Sequence, residues 1–201
     1  MSRTRLMTAL LGPVAMVSLS GCGINSIPTA EEEAKARWAD VQNQYQRRAD
    51  LIPNLVASVQ GAAAQERNVL REVTEARANA TRITVSPEQL TDPEAMRRFS
   101  EAQGRLRAAI IPLQRLQEAY PDLKTNQNFL ALQSQLEGTE NRITIARTDY
   151  NRAVQNYNTR IRTFPDVIGA KIFYGAEPMV PFEATTENAE EAPKVDFGNG
   201  A

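Results

Sequence analysis

Eleven positions near the end of this chain are spaced at steps of three and four, and that spacing leaves little choice of fold. The series runs Phe129, Leu132, Leu136, Thr139, Ile143, Ala146, Tyr150, Ala153, Tyr157, Ile161 and Phe164. A period near 3.5 belongs to a helix that buries one stripe against partner helices. About 40 residues at 1.5 Å each make a rod of about 60 Å, which needs neighbours of comparable length. Two further seams supply them. One lies within residues 31–82: Trp38, Val41, Tyr45, Ile52, Leu55, Val59, Ala62, Val69, Val73, Ala76 and Ala80. The other runs Phe99, Ala102, Leu106, Ala109, Leu113, Leu116 and Tyr120.

Breakers mark the ends. Pro53 lies inside the first seam and removes one backbone hydrogen bond. The helix either kinks there or is two helices end to end; the seam keeps its phase from Tyr45 to Leu55, so the spacing favours a kink, with the helix running on to about Arg82. Asn54, beside the proline, is the expected partner for the carbonyl that Pro53 orphans. Ser86-Pro87-Glu88-Gln89 and Thr91-Asp92-Pro93-Glu94 both carry helix-start signals, and Asp92 is the preferred start of the second helix. Pro112 should bend that helix, Pro121 ends it, and Pro165 stops the third. Residues 167–174 are apolar and read as a short closing helix. The fold class is therefore all-α: an elongated antiparallel bundle of three long helices plus a short closing helix. Arg48 and Glu66 interrupt the first seam. On one helix they lie about 27 Å apart, so each needs another partner.

Residues 6–20 form a short apolar leader behind Arg3 and Arg5, and Leu19-Ser20-Gly21-Cys22 closes it. The leader contains Gly12 and Pro13 and is shorter than the roughly 20 residues of a spanning helix, but suits a secretory signal. Residues 1–21 thus read as a lipoprotein signal peptide, with Cys22 the lipid-anchor residue. The bundle would then lie outside the cytoplasm, in the cell envelope. Gly23 rather than Asp follows the cysteine, which resembles a lipoprotein sorted to the outer membrane. The alternative is an uncleaved N-terminal transmembrane anchor. Residues 22–30 read as a tether, residues 31–174 as the bundle, and residues 175–201 as an acidic, largely disordered tail. Within that tail Lys194-Val195-Asp196-Phe197 is the obvious apolar handle.

Composition removes several function classes. The chain has no histidine and a single cysteine, so Cys/His zinc sites, His-ligated haem and Ser-His or Cys-His nucleophile pairs are excluded. No cofactor and no metal are expected. The 23 basic residues fall to 21 when Arg3 and Arg5 leave with the leader, against 24 acidic ones. A net charge of −3 is no footprint for nucleic acid.

Several unusual strings carry a family resemblance. Trp38, Arg47-Arg48-Ala49-Asp50-Leu51-Ile52-Pro53-Asn54-Leu55-Val56, Glu66-Arg67 and Thr74-Glu75-Ala76-Arg77 resemble the first half of the LemA family. Tyr120-Pro121-Asp122-Leu123-Lys124, Asn128-Phe129 and residues 136–143 resemble its second half, as do Tyr150-Asn151, Tyr157-Asn158 and Phe164-Pro165. Phe182-Glu183-Ala184 and Pro193-Lys194-Val195-Asp196-Phe197 are similar to its C-terminal signature. The resemblance implies a helical bundle held at a membrane by its N-terminus, with no activity or cofactor attached. Many members resemble proteins with an uncleaved membrane helix; Cys22 points to a lipid here.

Arg47, Arg48 and Asp50 lie within one turn beside Pro53 and form the candidate partner-binding cluster, since guanidiniums hold carboxylates and phosphates well. The competing reading is structural: ion pairs to Glu137 or Glu140 on the third long helix. Glu137, Glu140 and Asp149 have no nucleophile or pocket that would make them catalytic. Two functions follow. The first is a non-enzymatic scaffold or adaptor for a membrane or envelope-protein partner, with homo-oligomerisation open. Leu51, Val56 and Leu70 widen the apolar stripe and are its candidate surface unless they pack another helix. The second is a ligand carrier or enzyme with a site between helices around Arg48 and Glu66.

Overall fold

A computed structural model describes residues 25–183 of the chain. The expected signal peptide (residues 1–21), Cys22 and the tail beyond residue 183 lie outside the described residues. The described part is all-α, with six helices and no strand. The helices are α1 (Ser26–Gln60), α2 (Arg67–Arg82), α3 (Pro93–Ala119), the short α4 (Pro121–Thr125), α5 (Gln127–Arg160) and the short α6 (Asp166–Gly169). A 3-10 turn, Pro87–Thr91, precedes α3, and one wide turn, Ala170–Tyr174, extends α6.

The long helices run up, down, up and down. Trp38 and Tyr45 on α1 meet Phe99 of α3 edge to face, and Trp38 also meets Tyr150 of α5. Arg48 reaches Glu140 of α5, so α1 and α5 are antiparallel along nearly their whole length. Two caps set helix starts. Asp92 accepts from the Glu94 amide at 2.9 Å, and Asn126 accepts from the amides of Asn128 and Phe129. Each satisfies orphan donors of a first turn. Of the two start signals, the Ser86 one opens the 3-10 turn and the Asp92 one opens α3.

The predicted first long helix is in fact two helices. After Gln60 the chain turns through residues 61–66, and α2 folds back on α1. The Arg77 Nε donates to the Ala49 carbonyl at 2.7 Å, whereas one continuous helix would separate those residues by about 42 Å. The fourth helix of the bundle is therefore α2, not the short closing segment. The fold-back also accounts for the wide stripe. Leu70 and Val73 are buried, and Leu51 and Val56 pack half-buried against the same cluster.

Pro53 does not break α1, which is continuous from Ser26 to Gln60. Proline removes the amide that would bond the carbonyl four residues earlier, which is that of Ala49. Arg77 supplies the missing donor from α2. Asn54 is exposed and makes no side-chain hydrogen bond among the described residues.

Both ends of the predicted bundle shift. Helix α1 begins inside the expected tether, because Ile27, Ala30 and Ala34 are buried and prolong the seam towards the N-terminus. Residues 175–183, assigned to the tail on composition, form an extended strap against the bundle, with Met179 and Phe182 buried. The core divides in two. One apolar cluster joins Trp38, Tyr45, Phe99, Tyr150 and Phe182, and the other joins Ile52, Leu55, Leu106, Leu113, Phe129 and Leu136.

Candidate functional site

A polar layer separates the two clusters, and Arg48 is its centre. The guanidinium is 2 % exposed. One terminal nitrogen donates to Glu140 Oε1 at 3.0 Å; the other donates to the Gln103 carbonyl at 3.0 Å and to Gln103 Oε1 at 2.7 Å. The Gln103 Nε2 donates in turn to the Ala80 carbonyl at 3.2 Å. Arg48 also lies over the Tyr45 ring, 5.0 Å from its centroid. All four long helices are thus tied at one level. Buried Thr139 closes the layer, its hydroxyl bonded to the Gln135 carbonyl. Arg48 Nε and Gln44 Oε1, one helical turn apart, are buried without a hydrogen-bond partner.

The predicted cluster is not brought together as a cluster. Arg48 points into the bundle, whereas Arg47 and Asp50 are exposed on the outer face of α1. Asp50 accepts from Gln46 Nε2 at 2.8 Å, and Arg47 has no ion pair among the described residues. Glu66 does not join Arg48 either. It lies in the turn at the far end of the bundle and accepts from the Tyr120 hydroxyl at 3.0 Å. Glu140 also lies 4.0 Å from Arg107, Glu137 is exposed, and Asp149 pairs with Arg152 at 3.6 Å. No group of three His, Cys, Asp or Glu among the described residues is placed to hold a metal.

The strap is the feature that composition concealed. Asn158 Nδ2 donates to the Met179 carbonyl at 2.8 Å, and its Oδ1 accepts from the Met179 amide at 2.9 Å. Asn151 does the same to Phe182, at 3.0 and 2.8 Å. Each carboxamide thus behaves as a peptide group and pairs with one residue of extended backbone. The spacing matches: seven residues of helix rise about 10.5 Å, and three residues of strand span about 10 Å. Tyr150 donates its hydroxyl to the Val180 carbonyl at 2.9 Å, and the Val180 amide donates to the Leu90 carbonyl at 2.8 Å. The Phe182 ring lies among Trp38, Phe99 and Tyr150, with Arg147 over its face at 4.7 Å. Burial pushes the Tyr150 hydroxyl well above its ordinary value, and Tyr45 and Tyr157 shift upward mainly for the same reason. The signal was present in the sequence as Tyr-Asn repeated seven residues apart, followed by Pro-Phe.

The openings on the outer surface of the described residues include two grooves. One, of about 680 Å³, lies between α2 and α3 and includes Glu72, Glu75, Asn79, Arg98 and Arg105. The other, of about 520 Å³, lies between α3 and the strap, with Met96, Gly104 and Pro181 in its walls. Both are open to solvent and neither surrounds Arg48.

These contacts define a class: an all-helical bundle with a polar layer at mid-height and a C-terminal strap held by asparagines of its last long helix. The chain belongs to the LemA family, whose model matches residues 37–197. It is similar to magnetosome protein MamQ 2 and magnetosome protein MamQ 1 of Paramagnetospirillum magneticum, at 24% identity over 183 residues in each case. Magnetosome protein MamQ of Magnetospirillum gryphiswaldense is 24% identical over 176 residues. Each match covers 80% of this chain, and the chain spans 65% of the length of these relatives. No helix among the described residues is long and apolar enough to cross a membrane.

Proposed function

We propose that this LemA-family protein is a non-enzymatic scaffold of the cell envelope. Cys22 carries its lipid anchor, the bundle stands outside the cytoplasm, and its outer helical faces receive a protein partner. Arg48 is the observation that carries the reading. It is the side chain best suited to a site between helices, and it is bonded within the bundle to Gln103 and Glu140. The groove between α2 and α3 is lined by side chains of both charges, the kind of relief that suits a polar protein rim. The absence of histidine from the chain and the position of the single cysteine behind the leader support the same reading. The relatives named as magnetosome proteins leave the partner of this chain open.

The test has two parts. Intact mass of membrane-extracted protein, beside a Cys22→Ala variant, should show a mature chain beginning at an acylated Cys22. A chain that retains Met1 or Ser2 would sink the lipid anchor. A photo-crosslinking residue at Asn79, in the α2/α3 groove, should then give one discrete adduct in living cells, weakened by Glu75→Lys. A groove that gives no adduct overturns its adaptor role.

A further inference from the structure

The end of the bundle where α1 begins carries an apolar surface that the described fold does not cover. Among the described residues eight large apolar side chains are exposed, and five fall within residues 164–174. They are Phe164 (79 % exposed), Ile168 (50 %), Ile172 (69 %), Phe173 (67 %) and Tyr174 (41 %). The other three, Ile111, Leu130 and Ile145, sit singly along the helices. Scattered exposed hydrophobes are ordinary, but a contiguous cluster marks a contact surface.

What that surface meets is indicated by its place in the chain. Ser26 Oγ donates to Asp166 Oδ2 at 2.6 Å, so the cluster lies beside the first turn of α1. Cys22 and the apolar leader come immediately before that turn in sequence. Four residues of extended chain reach at most about 14 Å. A lipid on Cys22 puts the bilayer within that reach of Ser26, and a retained leader ending at Ser20 puts it within about 21 Å.

The polar residues of this end agree with a bilayer. Arg162 and Lys171 flank the apolar side chains, are exposed, and have no ion pair among the described residues. Aromatic and aliphatic side chains with basic flanks suit the headgroup boundary, where lysine and arginine stems lie on apolar matter and their charges stay in water. The acids here are largely engaged or set back. Asp166 accepts from Ser26 and lies 3.9 Å from Arg160. Glu31 and Glu32 hold Lys35, and the Glu31–Glu33 run starts about 7 Å farther along α1. Glu33 and Glu177 are the exposed acids that remain nearby.

We propose that residues 164–174 form a membrane-docking tip, which inserts Phe164, Ile168, Ile172 and Phe173 into the leaflet that holds the N-terminal anchor. The proposal rests on the membrane attachment argued above and adds to it an orientation. A tether alone leaves the rod free to tumble. An inserted tip stands it upright and holds the Glu66–Tyr120 end about 50 Å from the bilayer.

The experiment uses the full chain carrying Phe173→Trp, reconstituted into phosphatidylethanolamine–phosphatidylglycerol vesicles with brominated acyl chains. An Ile145→Trp protein, altered at an exposed site midway along α5, is the reference. Trp38 is fully buried in the core and contributes equally to both. Both proteins are floated with the vesicles, and their emission is read in the same fractions. Docking predicts that the indole at position 173 shifts to the blue and loses most of its emission to bromine, while the one at position 145 does neither. Flotation without quenching overturns the tip and leaves the anchor standing. A blue shift without quenching overturns it too, and points to a second copy covering the surface. Failure to float overturns anchor and tip together.

Discussion

Pro53 and Arg77 make sense only as a pair, and they are 24 positions apart. Proline in a helix interior costs about 3 kcal/mol, part of it through the orphaned carbonyl. The Arg77 guanidinium returns a donor to that carbonyl, and a hydrogen bond from a charged group contributes about 1.5–3 kcal/mol. Arg77→Leu should therefore destabilise by about that amount. Pro53→Ala should make the loss smaller, because alanine's own amide reaches Ala49. Urea denaturation across the four proteins of this cycle measures the coupling, and strictly additive effects would refute the pairing. Arg48 makes a second case. Glu140→Ala leaves a buried guanidinium one partner short, so its cost belongs near the lower end of about 3–5 kcal/mol, since Glu140 itself is 30% exposed. Arg48→Met removes the charge with its need for partners, and should cost less than Glu140→Ala; the reverse order would show that the layer is not governed by charge burial. The Arg48–Glu140 pair was legible as a seam interruption facing acids on another helix. The role of Arg77 was not, because it exists only after the chain turns back.

Periodicity found the elements but not every boundary. The first seam holds its phase across Gly61-Ala62-Ala63-Ala64, a run with no proline. Gly61 is the local stop signal and caps α1, but the unbroken seam outweighs a single glycine in a reading by period. Long-range burial decides it, since folding back lets α2 cover Ile52 and Leu55 with Leu70 and Val73. The strap escaped for the opposite reason. Its prolines and acids resemble a solvated tail, and its order depends on partners on α5. Apolar periodicity does not register a polar clamp of this kind. Losing either clamp should loosen the strap while the bundle stays folded. Asn151→Ala or Asn158→Ala removes two hydrogen bonds to strap backbone, each worth about 0.5–1.5 kcal/mol. Limited proteolysis between residues 175 and 183 should speed up by about ten-fold for each 1.4 kcal/mol lost, with helical circular dichroism unchanged. Equal cleavage rates in wild type and both variants would mean that Phe182 burial alone holds the strap.

Across the whole molecule the strap, the first apolar cluster and the tyrosines act as one unit, and alkali should expose it. Tyr45, Tyr150 and Tyr157 line that cluster with Trp38, Phe99 and Phe182, and burial raises the pKa of each hydroxyl in the folded chain. An unfolded tyrosine ionises near pH 10. Above that pH the unfolded chain gives up protons that the folded chain keeps, so the unfolded state binds fewer protons and stability falls as pH rises. Lys35 acts in the same direction, since its hydrogen bonds with Glu31 and Glu32 raise its pKa and the stabilising charge is lost on deprotonation. Below about pH 9 these groups carry the same charge in both states and contribute no slope. Thermal melts should therefore be flat between about pH 6 and 9, above the range where carboxylates titrate, and then drop steeply. Tyr150→Phe removes one ionisable group and should shallow the alkaline slope, although it also lowers stability at neutral pH by freeing the Val180 carbonyl. A variant that lowers the neutral plateau but leaves the slope untouched would separate the two roles, and would mean that Tyr150 loses its proton in the folded state as readily as in the unfolded one. That outcome would place water within reach of the strap's aromatic seat and contradict the closed packing around Phe182.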